Sequence, residues 1–185
     1  GDGSRQYGLF VYDSRTDKAT CLIEKALKTR PAWSPDSTKV AIGNSPGYGN
    51  IYPLVIVDVS TGKIDETGVQ GAGAAWSPDG RYVAVSTGFG NAGSWSAGIP
   101  CDGRIGVWDT KTRKLSYVSP AGINEATRDR RMSFMSGGLN PKWSTSGEWI
   151  AWQQRLRERR DGERTDPESQ VWIARRDGQR LTRVF

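Results

Sequence analysis

Apolar residues in this chain fall in short runs broken by polar turns, without the three-to-four-residue spacing that an amphipathic helix needs. LFVYDSRTDKATCLI (9–23), LVIVDVSTGKIDET (54–67), IGVWDTKTRKLSYV (105–118) and VWIARRDGQRLTRV (171–184) each read as an apolar strand, a polar turn and a weaker second strand. Four residues beyond Asp13, Asp58, Asp109 and Ala174 stand Asp17, Gly62, Arg113 and Gly178, so the four hairpins share one form. Ala174 interrupts the Asp series, which makes the Asp a turn cap rather than a ligand.

A second hairpin alternates with the first. PAWSPDSTKVAI (31–42), AAWSPDGRYVAV (74–85) and PKWSTSGEWIAW (141–152) each place a Trp before a tight turn and a short apolar strand. Trp33, Trp76 and Trp143 are followed at the seventh position by a β-branched residue and at the eighth by Ala. Ser77-Pro78-Asp79-Gly80 predicts a type I turn, with Ser at its first position, Pro fixing φ at the second and Gly closing it. Ser37 replaces that Gly in the first copy, and Thr145-Ser146 replaces Pro-Asp in the third. Three copies argue for a structural unit, since an active site is needed only once. The three tryptophans are therefore expected to be buried, equivalent packing residues.

Two alternating hairpins make a four-stranded antiparallel unit, and the 43-residue spacing from Trp33 to Trp76 suits a propeller blade. The P-x-W-S-P-D-G-x-x-[VI]-A pattern followed by the apolar-Asp hairpin resembles the TolB-like, or WD-like, β-propeller repeat over nearly all of the chain. Despite Trp108-Asp109, the lack of His, and so of a Gly-His signature, argues against a true WD-repeat protein. The resemblance implies an all-β toroid of radial blades, with the Trp hairpin on the inner side and the Asp hairpin outside. It also implies a bacterial, periplasmic or extracellular setting. Parsed this way, the chain is one propeller domain or fragment, with an outer hairpin at 7–24 and blades at 31–68, 72–118 and 139–184. That makes about three and a half blades, where propellers use four to eight. Further strands, from upstream residues or another chain, are expected to complete the hairpin 7–24, because bare sheet edges are rarely left open.

Composition narrows the chemistry. The 185 residues are 36% hydrophobic and 25% charged, enough for a substantial core, with no transmembrane run. Without His and with only Cys21 and Cys101, a Ser-His-Asp triad, a Cys-His dyad and the usual zinc sites cannot be built. No catalytic residue, metal or cofactor is expected. A disulfide between the two cysteines is left open. Gly88 to Gly93 fits G-x-G-x-x-G, but the Gly, Ser and Pro that follow offer no helix to hold a phosphate.

Charge and loop length locate the candidate site. Residues 1–100 carry balanced charge, whereas residues 101–185 carry the whole net charge of +6. Segments 87–103, 119–138 and 154–169 are long, and strand parity places all three at one end of the blades, opposite the tight turns. Those segments or their borders hold Trp95, Arg128, Arg130, Arg131, Met132, Phe134, Arg155, Arg157, Arg159 and Arg160. Arginine with Trp, Phe and Met is the chemistry of protein interface cores. The expected partner is a protein with an acidic surface, since interleaved Asp and Glu would repel a nucleic acid backbone. The reading is a non-enzymatic, protein-binding scaffold. Its alternatives are the propeller domain of a larger hydrolase or peptidase and a carbohydrate- or small-ligand-binding propeller.

Overall fold

In the computed structural model, residues 8–24, 29–43, 53–87, 104–119, 137–156, 159–160, 163–164 and 168–184 are described, and every regular element among them is a strand. β1 (Gly8–Asp13) and β2 (Lys18–Glu24) form a two-stranded sheet. β3 (Ala32–Trp33), β4 (Lys39–Gly43), β5 (Pro53–Asp58) and β6 (Ile64–Gln70) pair in chain order. So do β7 (Ala72–Trp76), β8 (Tyr82–Ser86), β9 (Ile105–Asp109) and β10 (Lys114–Tyr117). In the last sheet β11 (Gly137–Trp143) and β12 (Trp149–Leu156) are followed, beyond a small ribbon of β13 (Arg159–Arg160) and β14 (Glu163–Arg164), by β15 (Glu168–Arg175) and β16 (Thr182–Arg183). Each four-stranded sheet is an antiparallel meander, which is a propeller blade, and the chain is an all-β propeller of about three and a half blades.

Strand alternation gives every blade two apolar faces, and neighbouring blades bury them against each other. Val40, Ile42, Val55 and Val57 pack backward onto Leu9 and Ile23 of the first hairpin. Ala41, Leu54 and Ile56, on the opposite face of the same strands, pack forward onto Val83, Val85 and Trp108. Ala84, Ile105 and Val107 in turn meet Ile150, Trp152 and Ala174. Complete burial of a Val or Ile side chain contributes about 1.5–3 kcal/mol relative to leaving it in water. These three layers are what hold the stack.

The register corrects one detail of the sequence reading. Tyr82 faces Asp109 and Trp149 faces Arg175, so Arg175, not Ala174, stands at the Asp position of the last outer hairpin. The turn there is one residue shorter. Gly178 N–H donates to Arg175 O, three residues back, while Gly62 and Arg113 reach four residues back to Asp58 and Asp109. A deletion inside a turn leaves the strand pattern intact, which is why counting from the turn slipped. Ala174 is then a fully buried blade-to-blade contact.

Candidate partner-binding face and the opposing turn end

At one end of the blades the turns consume their own polar groups. Ser34 and Ser77 are buried; their hydroxyls donate to Asp36 (2.6 Å) and Asp79 (2.5 Å) and accept from Lys39 N–H and Tyr82 N–H. In the third copy Ser144 and Ser146 take these places, and Trp149 N–H donates to Ser144. Gly80 N–H donates to Ser77 O at 2.9 Å, closing the turn. The closing position is left-handed in all three copies: Ser37 at φ 59°, Gly80 at 69° and Gly147 at 71°.

The outer hairpins behave similarly. Asp58 accepts from the N–H and hydroxyl of both Ser60 and Thr61. Those donors, the Ser60 hydroxyl foremost, pull its carboxyl down to about 2. Asp109 takes Arg81 Nη2 at 2.7 Å and the N–H groups of Lys111 and Thr112, and the Arg81 bond holds it far below the usual carboxylate range. Asp13 is lowered chiefly by Arg15 N–H. All three aspartates are occupied as turn caps.

The repeat tryptophans do something the sequence reading missed. Trp76 Nε1 donates to Ala32 O, and Trp143 Nε1 donates to Ala75 O, each at 3.0 Å. Ala32 and Ala75 directly precede Trp33 and Trp76, so each indole reaches back and pins itself to the same point of the preceding inner strand. The expectation of three equivalent buried rings is corrected accordingly. Trp76 and Trp143 are half-buried, and Trp33, whose backward neighbour among the described residues is the hairpin β1–β2, is 49% exposed. The other two rings lie against a preceding inner strand, and no such strand precedes Trp33 among the described residues.

The other end carries the long connections. Ser86 pairs with Ile105, Tyr117 with Gly106, Gly137 with Arg155 and Leu156 with Glu168, so the segments between β8 and β9, β10 and β11, and β12 and β15 all leave from one end. Ser86, Thr87, Ser119, Gln154 and Gln170 are buried there. Ser119 Oγ accepts from Ile105 N–H, and Gln154 and Gln170 accept from the indoles of Trp152 and Trp172. Gln154 Nε2 and, at the matching end of β6, Gln70 Oε1 are buried with no hydrogen-bond partner among the described residues. At this end Arg104 lies over the Tyr117 ring, 3.6 Å from its centroid. Sequence reasoning passed over both residues. An Arg ending a Gly-rich loop and a Tyr at the outward-facing end of a strand were the available signals.

Trp95, Arg128, Arg130, Arg131, Met132, Phe134 and Arg157 lie outside the described residues, as does Cys101; Cys21 is exposed on β2. Arg155 is a strand residue of β12, opposite Gly137 and Ser169, and not part of a turn. Arg159 and Arg160 form β13, facing Arg164 and Glu163. The long segment 154–169 thus holds two strand ends and a ribbon.

No family model matches the chain, and no curated protein matches it in sequence. Solved structures match it in fold. Putative TolB from Agrobacterium tumefaciens aligns with 96% of the chain at a TM-score of 0.61 and 13% identity, over 56% of its own length. The β-propeller domain of the Trilobed protease from Pyrococcus furiosus, with an open velcro topology, aligns with 97% at 0.59 and 15% identity, over 48% of its length. The fold is that of a TolB-like propeller. A prolyl endopeptidase also aligns, with 99% of the chain, a TM-score of 0.61 and 15% identity, over 26% of that protein. The chain therefore spans about half the length of the first two structures, and its fold is shared by propeller domains of peptidases. Among the described residues no helix is long and apolar enough to cross a membrane.

Proposed function

We propose that this chain is a non-enzymatic propeller module that binds a protein partner through its long-loop end, in an extracytoplasmic scaffolding assembly. The observation that carries this reading is the contrast between the two ends. Turn-end serines and aspartates are committed to internal hydrogen bonds, while the loop end holds the Arg104–Tyr117 stack and the connections whose sequence is rich in arginine. An acidic protein surface suits it, because guanidinium forks pair with carboxylates bidentately.

The test replaces Arg155, Arg157, Arg159 and Arg160 with Ser and measures binding of a labelled polyglutamate peptide by fluorescence anisotropy. A DNA duplex and a neutral oligosaccharide serve as comparators. Affinity for polyglutamate falls with salt, and falls about tenfold or more in the variant, which corresponds to about 1.4 kcal/mol. Unchanged binding by a folded variant overturns the arginine assignment. Tighter binding of DNA or of the sugar overturns the choice of partner. The second reading, a domain of a larger peptidase, is supported by the Trilobed protease and prolyl endopeptidase likenesses. Hydrolysis of a fluorogenic peptide by the chain, in cis with any flanking domain, decides for it.

A further inference from the structure

At the middle of its strands the third blade turns two indoles toward the second, where the second turns Val and Gly toward the first. Register sets Trp152 and Trp172 at the places of Val85 and Gly106. Val85 lies in the layer against the first blade, and Trp152 lies, with Trp172 packed on it, in the layer against the second. Both indole N–H groups reach along the strands toward the loop end and donate to Gln154 Oε1 at 3.3 Å and Gln170 Oε1 at 3.0 Å. Gln154 and Gln170 stand opposite each other across β12 and β15 and are 1% and 4% exposed. The bond from Trp152 fixes how the Gln154 carboxamide lies, since turning it over would set two donors against each other. Nε2 is thereby aimed away from the indole, buried and with no hydrogen-bond partner among the described residues. In the second blade Thr87 holds the place of Gln154, and its hydroxyl is met within its own hairpin by Arg104 O at 3.0 Å.

We infer that the second and third blades enclose a buried water molecule at their loop end, accepting from Gln154 Nε2 and donating to an oxygen of the second blade. Buried amide donors are met by protein or by ordered water, because an unmet one loses its hydration without return. Ser86 is the hydroxyl placed for the other bond. It follows Val85 on the opposite face, stands beside Ile105 of the layer against the third blade, and is 1% exposed. A hydroxyl oxygen has two lone pairs and accepts from water wherever its own proton points. Two indoles hold facing sheets further apart than Val and Gly do, and the shorter carboxamides follow them, so space remains between the blades beyond the rings. Water suits that space better than an anion, because Ser86, Ile105, Trp152, Trp172, Gln154 and Gln170 are all neutral and a charge among them would stand unpaired.

A high-resolution crystal structure of the unaltered chain tests this directly. One ordered oxygen is expected about 2.7–3.2 Å from Gln154 Nε2 and from an oxygen of the second blade. In solution, the Gln154 side-chain amide protons are expected to show a nuclear Overhauser effect to water with the sign of a contact outlasting the tumbling of the protein. The side-chain amide of Gln179, which is exposed, shows no such contact. Gln154→Met together with Trp152→Phe removes the donor and the indole N–H in one step, and the ordered oxygen is expected to vanish in crystals of that variant. The two measurements on the unaltered chain stand whether or not the variant folds. A protein oxygen bonded directly to Nε2, no ordered oxygen beside it, or a solute anion in its place overturns the inference. So do amide protons that meet only bulk water, and an oxygen that persists in the double variant.

Discussion

At the scale of single residues, position in the stack decides what a side chain contributes. Trp76→Phe keeps an aromatic ring but loses the indole N–H bond to Ala32 O, so chemical denaturation is expected to show a loss of at least about 1 kcal/mol. Trp33→Phe, with no such bond formed, is expected to change stability little. Ser37 holds a left-handed φ that favours glycine, and Ser37→Gly is expected to stabilise the chain by about 0.5–1 kcal/mol, read in the same urea titration. Asp58 and Asp109 have folded pKa values below their unfolded ones. Their contribution is complete above about pH 4, the unfolded value; that of Asp58 is lost as pH falls through about 2, and that of Asp109 at lower pH still. Melting temperatures recorded down that range should drop less steeply for Asp58→Asn, whose amide still accepts a bond but no longer titrates.

At the scale of elements, close backbone approach matters more than surface charge. A Cβ added to Gly43 at the end of β4 would collide with Gly71 O in the connection between β6 and β7. Because that obstacle is backbone, Gly43→Ala is expected to cost about 1–3 kcal/mol in equilibrium unfolding. Arg113, in the outer turn of the second blade, bridges to Asp65 at 3.0 Å and to Glu66 O in the blade before it. Both side chains of that ion pair are about half exposed. Arg113→Ala should therefore cost no more than about 1 kcal/mol, most of it removable by salt.

For the molecule as a whole, stability follows the number of covered faces. Val83, Ala84 and Val85 of β8 are all fully buried, because the second blade has a neighbour on each side. Among the described residues the hairpin β1–β2 has one neighbouring sheet, and most of β2 is exposed. In a stack whose units contact only their neighbours, opening free energies are graded rather than uniform. Hydrogen exchange should be slowest in peptides covering 82–86 and fastest, among the described strands, in those covering 8–24; equal protection would mean a single cooperative unit.

Strand positions, the alternation of Trp and Asp hairpins, the capping turns and the all-β class were legible in the sequence, because period-two burial and turn chemistry are set by residues within a dozen positions of each other. The left-handed residues Asp17, Gly62 and Arg113 stand four positions beyond Asp13, Asp58 and Asp109, a spacing visible in the sequence, whereas Gly178 stands three beyond Arg175 and only the register shows it. Whether a repeated residue was buried could not be read off in this way. Trp33 and Trp76 have the same local sequence, yet one is exposed and the other bonded to a carbonyl 44 residues away, since burial depends on which sheet lies next to the residue. The same reason hid the Arg104–Tyr117 stack and the role of Arg175: pairing register and blade order bring distant segments together, and only the tertiary structure sets them.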